Sequence, residues 1–197
     1  LQDLPISSYC ADTLVDIGVT DEDYLKEHLQ PICESAVRNK ISTITIPLLE
    51  DSSVEDPELR QKFKNLIAQY VTKYPNLKFS FECELTIEGL QDIIELSENF
   101  YVTYDTGNIT SYGLDHVDYI NAFHKRMNNV HLKDRTYDAK TVYPTTGDTD
   151  FKLIFKTLSD VGYDGFYTLQ TARGKTGIEA ITVMQHTNIL RGLHNAK

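Results

Sequence analysis

A parallel α/β fold is the class this sequence predicts, and three observations predict it. Six short apolar runs alternate with amphipathic runs, the order of a strand-helix repeat. Capping residues stand before the amphipathic runs: Thr20, Asp56, Thr86, Asp115, Asp150 and Thr176. The 197 residues, 41% hydrophobic and 24% charged, suffice for one sizeable core. Two architectures fit, an open doubly wound sheet and a (β/α)8 barrel. Neither GxGxxG nor GxxxxGK[ST] follows any apolar run, which removes support from the nucleotide-binding forms of the first.

The strand candidates in order are Ile6–Ala11, Ile41–Leu48, Leu77–Glu84, Tyr101–Asp105, Asn129–Lys133 and Gly165–Gln170. Thr20 opens the first helix, with a kink expected at Pro31 because proline lacks the N–H and crowds the preceding turn. Asp56-Pro57 opens a helix to about Tyr74, with proline just inside its start. Thr86 caps IEGLQDIIELSEN and Asp115 begins DHVDYINAFHKRM. Asp150 leads FKLIFKTLSDV, which Gly162 stops, and Thr176 opens the last helix.

The net charge of −10 argues against a nucleic-acid or membrane-surface partner. Cys10, Cys33 and Cys83 are scattered, with no CxxC, which fits a reducing cytoplasm rather than a disulfide scaffold. No signal peptide and no apolar run long enough for a membrane span is expected. The chain starts at Leu1 without Met, which reads as a missing N-terminal piece.

The strand ends carry the chemistry. In L-K-F-S-F-E-C-E-L, residues 77–85, Phe79 and Phe81 share one face while Ser80, Glu82 and Glu84 share the other. On the next three strands Thr103 goes with Asp105, Asn129 with His131 and Lys133, and Thr168 with Gln170. Each residue alone has an ordinary explanation: a solvated carboxylate, a turn in YDTGN, a core histidine, a surface amide. Together, four successive strands deliver Glu82, Asp105, His131 and Gln170 at their C-terminal ends, which in a parallel barrel converge on one mouth. Two carboxylates, an imidazole and an amide oxygen suit one divalent cation, Mn²⁺, Mg²⁺, Co²⁺ or Zn²⁺.

FECEL, YDTGN, VHLKDR, TTGDTDF and YTLQTARG, in that order from Leu77 to Gly174, resemble the sugar phosphate isomerase/epimerase family of xylose-isomerase-like TIM barrels. ISSYCAD and ISTITIPLLED extend the resemblance more weakly upstream. The resemblance implies that the six strands are strands three to eight of a (β/α)8 barrel, that the first two βα units are missing, and that residues 1–197 form a single incomplete domain. It implies one divalent metal on Glu82, Asp105 and His131, with Gln170 where the family carries a second glutamate. An amide can ligate but cannot act as a base, which argues against a symmetric two-glutamate epimerisation.

The expected activity is isomerisation or epimerisation of a sugar or sugar phosphate by proton abstraction next to a carbonyl. Glu82 is the expected base and Lys133 the group that neutralises developing charge. Asn108, Arg135, Arg173 and Glu84 are the expected substrate contacts, with Glu84 a possible replacement base. Asp134 is expected to orient a neighbour and Gly147 to make a turn, in a loop where Thr145 stands in place of a family glycine. His116, His124, His186 and His194 lie on helices and are expected to do no chemistry. A homo-oligomer is a further expectation, since many relatives pair through their outer helices. Two other readings compete: a barrel relative without activity that binds a sugar or a protein, and, more remotely, an endonuclease-IV-like phosphodiesterase. The second needs further His and Asp ligands after His131 that are not present.

Overall fold

The computed structural model describes residues 6–16 and 18–196. Its principal strands are β1 (Tyr9–Cys10), β2 (Thr43–Leu48), β3 (Lys78–Cys83), β4 (Phe100–Asp105), β5 (Met127–Leu132) and β8 (Phe166–Leu169). They form a six-stranded parallel sheet in the order β1-β2-β3-β4-β5-β8, part of a (β/α) barrel. A two-stranded antiparallel ribbon, β6 (Asp134–Arg135) with β7 (Thr141–Val142), follows β5. The helices are α1 (Glu22–Tyr24), α2 (Gln30–Arg38), α3 (Pro57–Lys73), α4 (Ile87–Ile94), α5 (Thr106–Tyr112), α6 (His116–Phe123), α7 (Phe151–Asp160) and α8 (Glu179–Asn195). The chain divides into two compact units, residues 1–103 and 104–197, with the division inside β4.

In the first unit the expected alternation holds. Phe79 and Phe81 point outward and are fully buried, and Phe81 meets the rings of Phe63 on α3 at 5.7 Å and Phe100 at 5.1 Å, both edge-on. On the opposite face Ser80 Oγ lies 2.6 Å from Thr103 Oγ1, which lies 3.3 Å from Thr45 Oγ1. These hydroxyls fill a buried polar layer, and Glu82 stands one step further up its strand on the same face. The helix signals Asp56 and Thr86 act as read: Asp56 accepts from the Glu58 and Leu59 amides and Thr86 from Gly89.

Two local expectations are corrected. The first helix is capped by Asp21, whose carboxylate accepts from the Tyr24 amide at 2.8 Å, rather than by Thr20. Pro31 does not break it. The turn before it, residues 25–29, widens to a π turn, and Gln30 N–H bonds Leu25 C=O five residues back, which makes room for the proline ring. The expected strand Ile6–Ala11 is shorter, Tyr9–Cys10, and its end hands Ala11 N–H to Thr45 C=O.

In the second unit Tyr104 stacks on Tyr119 at 5.6 Å, Phe123 meets Tyr119 tilted at 4.9 Å, and Phe155 on α7 packs on Tyr167 of β8 and His194 of α8. Asp115 and Asp150 cap α6 and α7 through the Asp118 and Leu153 amides, and Gly162 ends α7 with φ +71°. The last helix begins at Glu179 rather than Thr176, with no side-chain cap. No described helix is long and apolar enough to cross a membrane.

Candidate functional site

Glu82 is 3% exposed at the top of β3, paired in register with Pro47 of β2. A carboxylate so enclosed needs a compensating charge, a set of donors or a cation. Glu84, two residues on and past the end of the strand, is half-buried.

The second unit builds its part of the site around Asp105. YDTGN does not form an isolated turn. Asp105 caps α5, its Oδ1 accepting from the Asn108 amide at 2.8 Å, and Gly113 in the left-handed conformation ends that helix about two turns later. The cap fixes the carboxylate, so Oδ2 points where the neighbouring strand ends. There it meets Lys133 Nζ at 2.9 Å, with His131 Nδ1 at 3.9 Å. Lys133 is 8% exposed, and its ammonium also donates to Asn108 Oδ1 at 3.3 Å. Thr106, fully buried, grips the Lys133 backbone from both sides: its hydroxyl donates to Lys133 C=O at 2.6 Å and accepts from Lys133 N–H at 3.0 Å. Gly107 makes the crossing possible, because a Cβ there would lie 2.8 Å from Lys133 Cγ. The expected residues Asp105, Asn108, His131 and Lys133 therefore converge within this unit.

On β8, Thr168 Oγ1 donates to Asn129 Oδ1 at 2.9 Å, continuing the inner polar face of β5. One step beyond, Gln170 N–H bonds Leu132 C=O at 3.1 Å, and its side-chain Oε1 is buried with no hydrogen bond among the described residues. A buried acceptor left in that condition is a ready ligand position. Arg135, half-buried on β6, donates through Nη1 to Ser111 Oγ at 3.3 Å. Arg173 is exposed on the loop after β8, and no contact among the described residues brings it to the others.

Asp134 acts as the orienting group read from the sequence. Fully buried, it accepts from the amides of Thr146 and Gly147 on Oδ2, both at 3.0 Å, and of Thr149 on Oδ1 at 3.2 Å. This folds TTGDT back over β6. Thr145 holds φ +72°, the left-handed region a glycine would take without strain. A Cβ on Gly147 would clash with Asp134 Oδ1 and lie 2.8 Å from both Arg135 O and Val142 Cγ2. Gly147→Ala is therefore expected to lower the unfolding free energy by about 1–3 kcal/mol, read as a lower urea midpoint.

Sequence reasoning missed α5 because Gly, Asn and Thr dominate it. The frame of Asp105 at the start and Gly113 just past the end was the available signal. It also missed Thr106 as the clasp on Lys133, and Thr110 of the same helix as the residue that bonds the buried Thr149 and the half-buried His116.

A family model described as xylose isomerase-like TIM barrel matches residues 4–187. An inosose dehydratase of Clostridium tetani is 26% identical over 105 residues, 43% of this chain and 35% of that protein. The chain thus matches about a third of the length of that curated relative. A D-tagatose 3-epimerase-like protein of known structure superposes with TM-score 0.75 at 16% identity, covering 92% of this chain and 74% of the other. The structure of IolI protein with a bound zinc atom gives TM-score 0.70 at 14% identity, covering 86% and 71%.

Proposed function

Given that this chain belongs to the xylose isomerase-like TIM barrel family, we propose that it serves a divalent-metal-dependent enzyme that removes a proton next to the carbonyl of a sugar or sugar phosphate, the net outcome being isomerisation or epimerisation. The observation that carries the reading is a buried donor pair in the second unit, Asp105 Oδ2 with His131 Nδ1 3.9 Å away, to which the reading adds Glu82, buried at the end of β3. The unsatisfied Gln170 Oε1 offers a fourth, neutral ligand. This mixture of oxygen donors and one imidazole suits Mn²⁺, Mg²⁺, Co²⁺ or Zn²⁺. A zinc atom in the IolI protein agrees with it. The reading treats the chain as part of one barrel domain.

A bound cation would polarise the substrate carbonyl and make its neighbouring C–H more acidic. The rest belongs to this chain's side chains. Glu82 takes the proton. The Lys133 ammonium faces the developing negative charge, positioned by Asp105, Asn108 and Thr106 before substrate arrives. Asn108 and Glu84 meet hydroxyls, and Arg135 meets a phosphate if the sugar carries one. With Gln170 unable to act as a base, one carboxylate does the proton transfer, which favours isomerisation over two-base epimerisation. A carbohydrate-metabolising role in the cytoplasm, with assembly into a homo-oligomer, goes with this reading.

The inosose dehydratase likeness supports a second reading, in which the same first step is followed by loss of a hydroxyl one carbon further on. Lys133 would then protonate the leaving oxygen. One experiment separates the two. The full-length protein with Mn²⁺ or Co²⁺ is incubated with ketoses, ketose phosphates and cyclic polyol ketones in deuterated water. Deuterium next to the carbonyl in recovered sugar supports isomerisation, and a new unsaturated carbonyl absorbance supports dehydration. Neither signal across those substrates would refute the enzyme reading.

A further inference from the structure

The second unit holds a hydrogen-bonded chain in which every proton can be placed. Tyr104 is fully buried, and its hydroxyl has one partner among the described residues, His116 Nδ1 at 2.6 Å. His116 Nε2 lies 3.0 Å from Thr110 Oγ1. Thr110 Oγ1 donates to Thr106 C=O at 2.8 Å and also lies 3.0 Å from Thr149 Oγ1. The Thr110 hydroxyl has one proton and it goes to Thr106, so Thr110 must accept from both His116 and Thr149. His116 therefore carries its proton on Nε2, and its bare Nδ1 accepts from Tyr104. Thr149 Oγ1 in turn accepts from Arg135 N–H at 3.4 Å.

We propose that His116, as the neutral Nε2–H tautomer, is a positioning residue of the candidate site: through Thr110 it clamps α5 so that Thr106 and Asn108 hold Lys133, and through Thr149 it steadies Arg135. The chain runs from Tyr104 to the backbone carbonyl of Thr106, the residue whose hydroxyl grips Lys133 on both sides. The charge state required follows from the same bonds. A protonated ring would turn Nδ1 into a donor and leave the Tyr104 proton with no acceptor in a buried place. Burial lowers the His116 pKa to about 4, against the pull of Asp115 at the start of α6 and Asp150 at the start of α7; Tyr104, facing it from β4, is held neutral by its own burial. The inference rests on the proposed function only in naming Lys133 and Arg135 as groups that meet substrate.

The test reads Lys133 directly in the metal-free protein, so it stands apart from whether any sugar is turned over. Full-length protein at pH 7.5 is pulsed with acetic anhydride, and acetylation of Lys133 and of the exposed Lys156 is followed by peptide mass spectrometry. His116→Ala and Thr110→Val are expected to raise Lys133 labelling about tenfold with Lys156 unchanged, as expected for loss of one such bond. His116→Gln, whose amide can accept from Tyr104 and donate to Thr110, is expected to stay within about twofold of the wild-type rate. Lys133 labelling at the wild-type rate in Thr110→Val, or no rescue by His116→Gln, overturns the proposal. Thr110→Val removes a hydroxyl at nearly constant volume, so it decides the matter even if His116→Ala does not fold.

Discussion

Asp105→Asn is expected to keep the start of α5 and lose two other things at once. The amide oxygen can still accept from the Asn108 amide, so the cap survives. The charge that faces Lys133 Nζ at 2.9 Å does not. Lys133 is 8% exposed, and taking away a countercharge from an enclosed ammonium costs about 3 kcal/mol. Affinity for a divalent cation should fall at least about a hundredfold, because a direct anionic ligand matters at least as much as the outer partners whose loss costs that much. Adding Lys133→Met separates the effects. With both charges gone, an apolar side chain fills the space, and most of the lost stability should return while cation binding does not. Urea midpoints and Mn²⁺ titration of the single and double variants read the two outcomes. Asp105→Asn with unchanged stability would contradict the role given to the Asp105–Lys133 pair.

Acid is expected to unfold the protein partly through His116. Its imidazole titrates at about 4 in the folded chain, because burial disfavours the charged ring, against about 6.5 when unfolded. Above pH 6.5 both states are neutral there and the folded state has its full advantage. Between 6.5 and 4 the unfolded chain binds a proton that the folded chain refuses, so the unfolding free energy falls as pH falls. The slope approaches about 1.4 kcal/mol per pH unit and the total is about 3 kcal/mol. His116→Gln cannot titrate and should lose less stability over that window, while carboxylates common to both proteins contribute equally. Parallel urea-denaturation curves for the two proteins from pH 7 to pH 4 would contradict this account.

The strands were legible because their period-two pattern is written in strong contrasts. Phe79 and Phe81 alternate with Ser80 and Glu82, and the inner hydroxyl layer of Thr45, Ser80 and Thr103 follows the same rule. Aspartate and threonine caps marked helix starts for the same reason: few residues other than these accept from a free helix amide without leaving the backbone path. What escaped was structure made by backbone grips rather than by hydrophobic contrast. α5 has a polar sequence and is buried because its neighbours bond its hydroxyls, as Thr106 and Thr110 show. The π turn before Pro31 escaped because proline signals a disturbed helix without saying how the chain absorbs it. Of the candidate site, Asp105, Asn108, His131 and Lys133 were read as neighbours and are neighbours in the second unit. Arg173 stands exposed, because a cation on a loop gives no pattern that fixes its direction.

The central claim is that Glu82, Asp105 and His131 hold one divalent cation. Mn²⁺ titration of the full-length protein, followed by the loss of the free-ion electron paramagnetic resonance signal, tests it most directly. The account predicts one tightly held Mn²⁺ per chain in the wild type and strongly weakened binding in each of Glu82→Gln, Asp105→Asn and His131→Ala. No uptake by the wild type at millimolar Mn²⁺, or binding that survives all three substitutions, would contradict it.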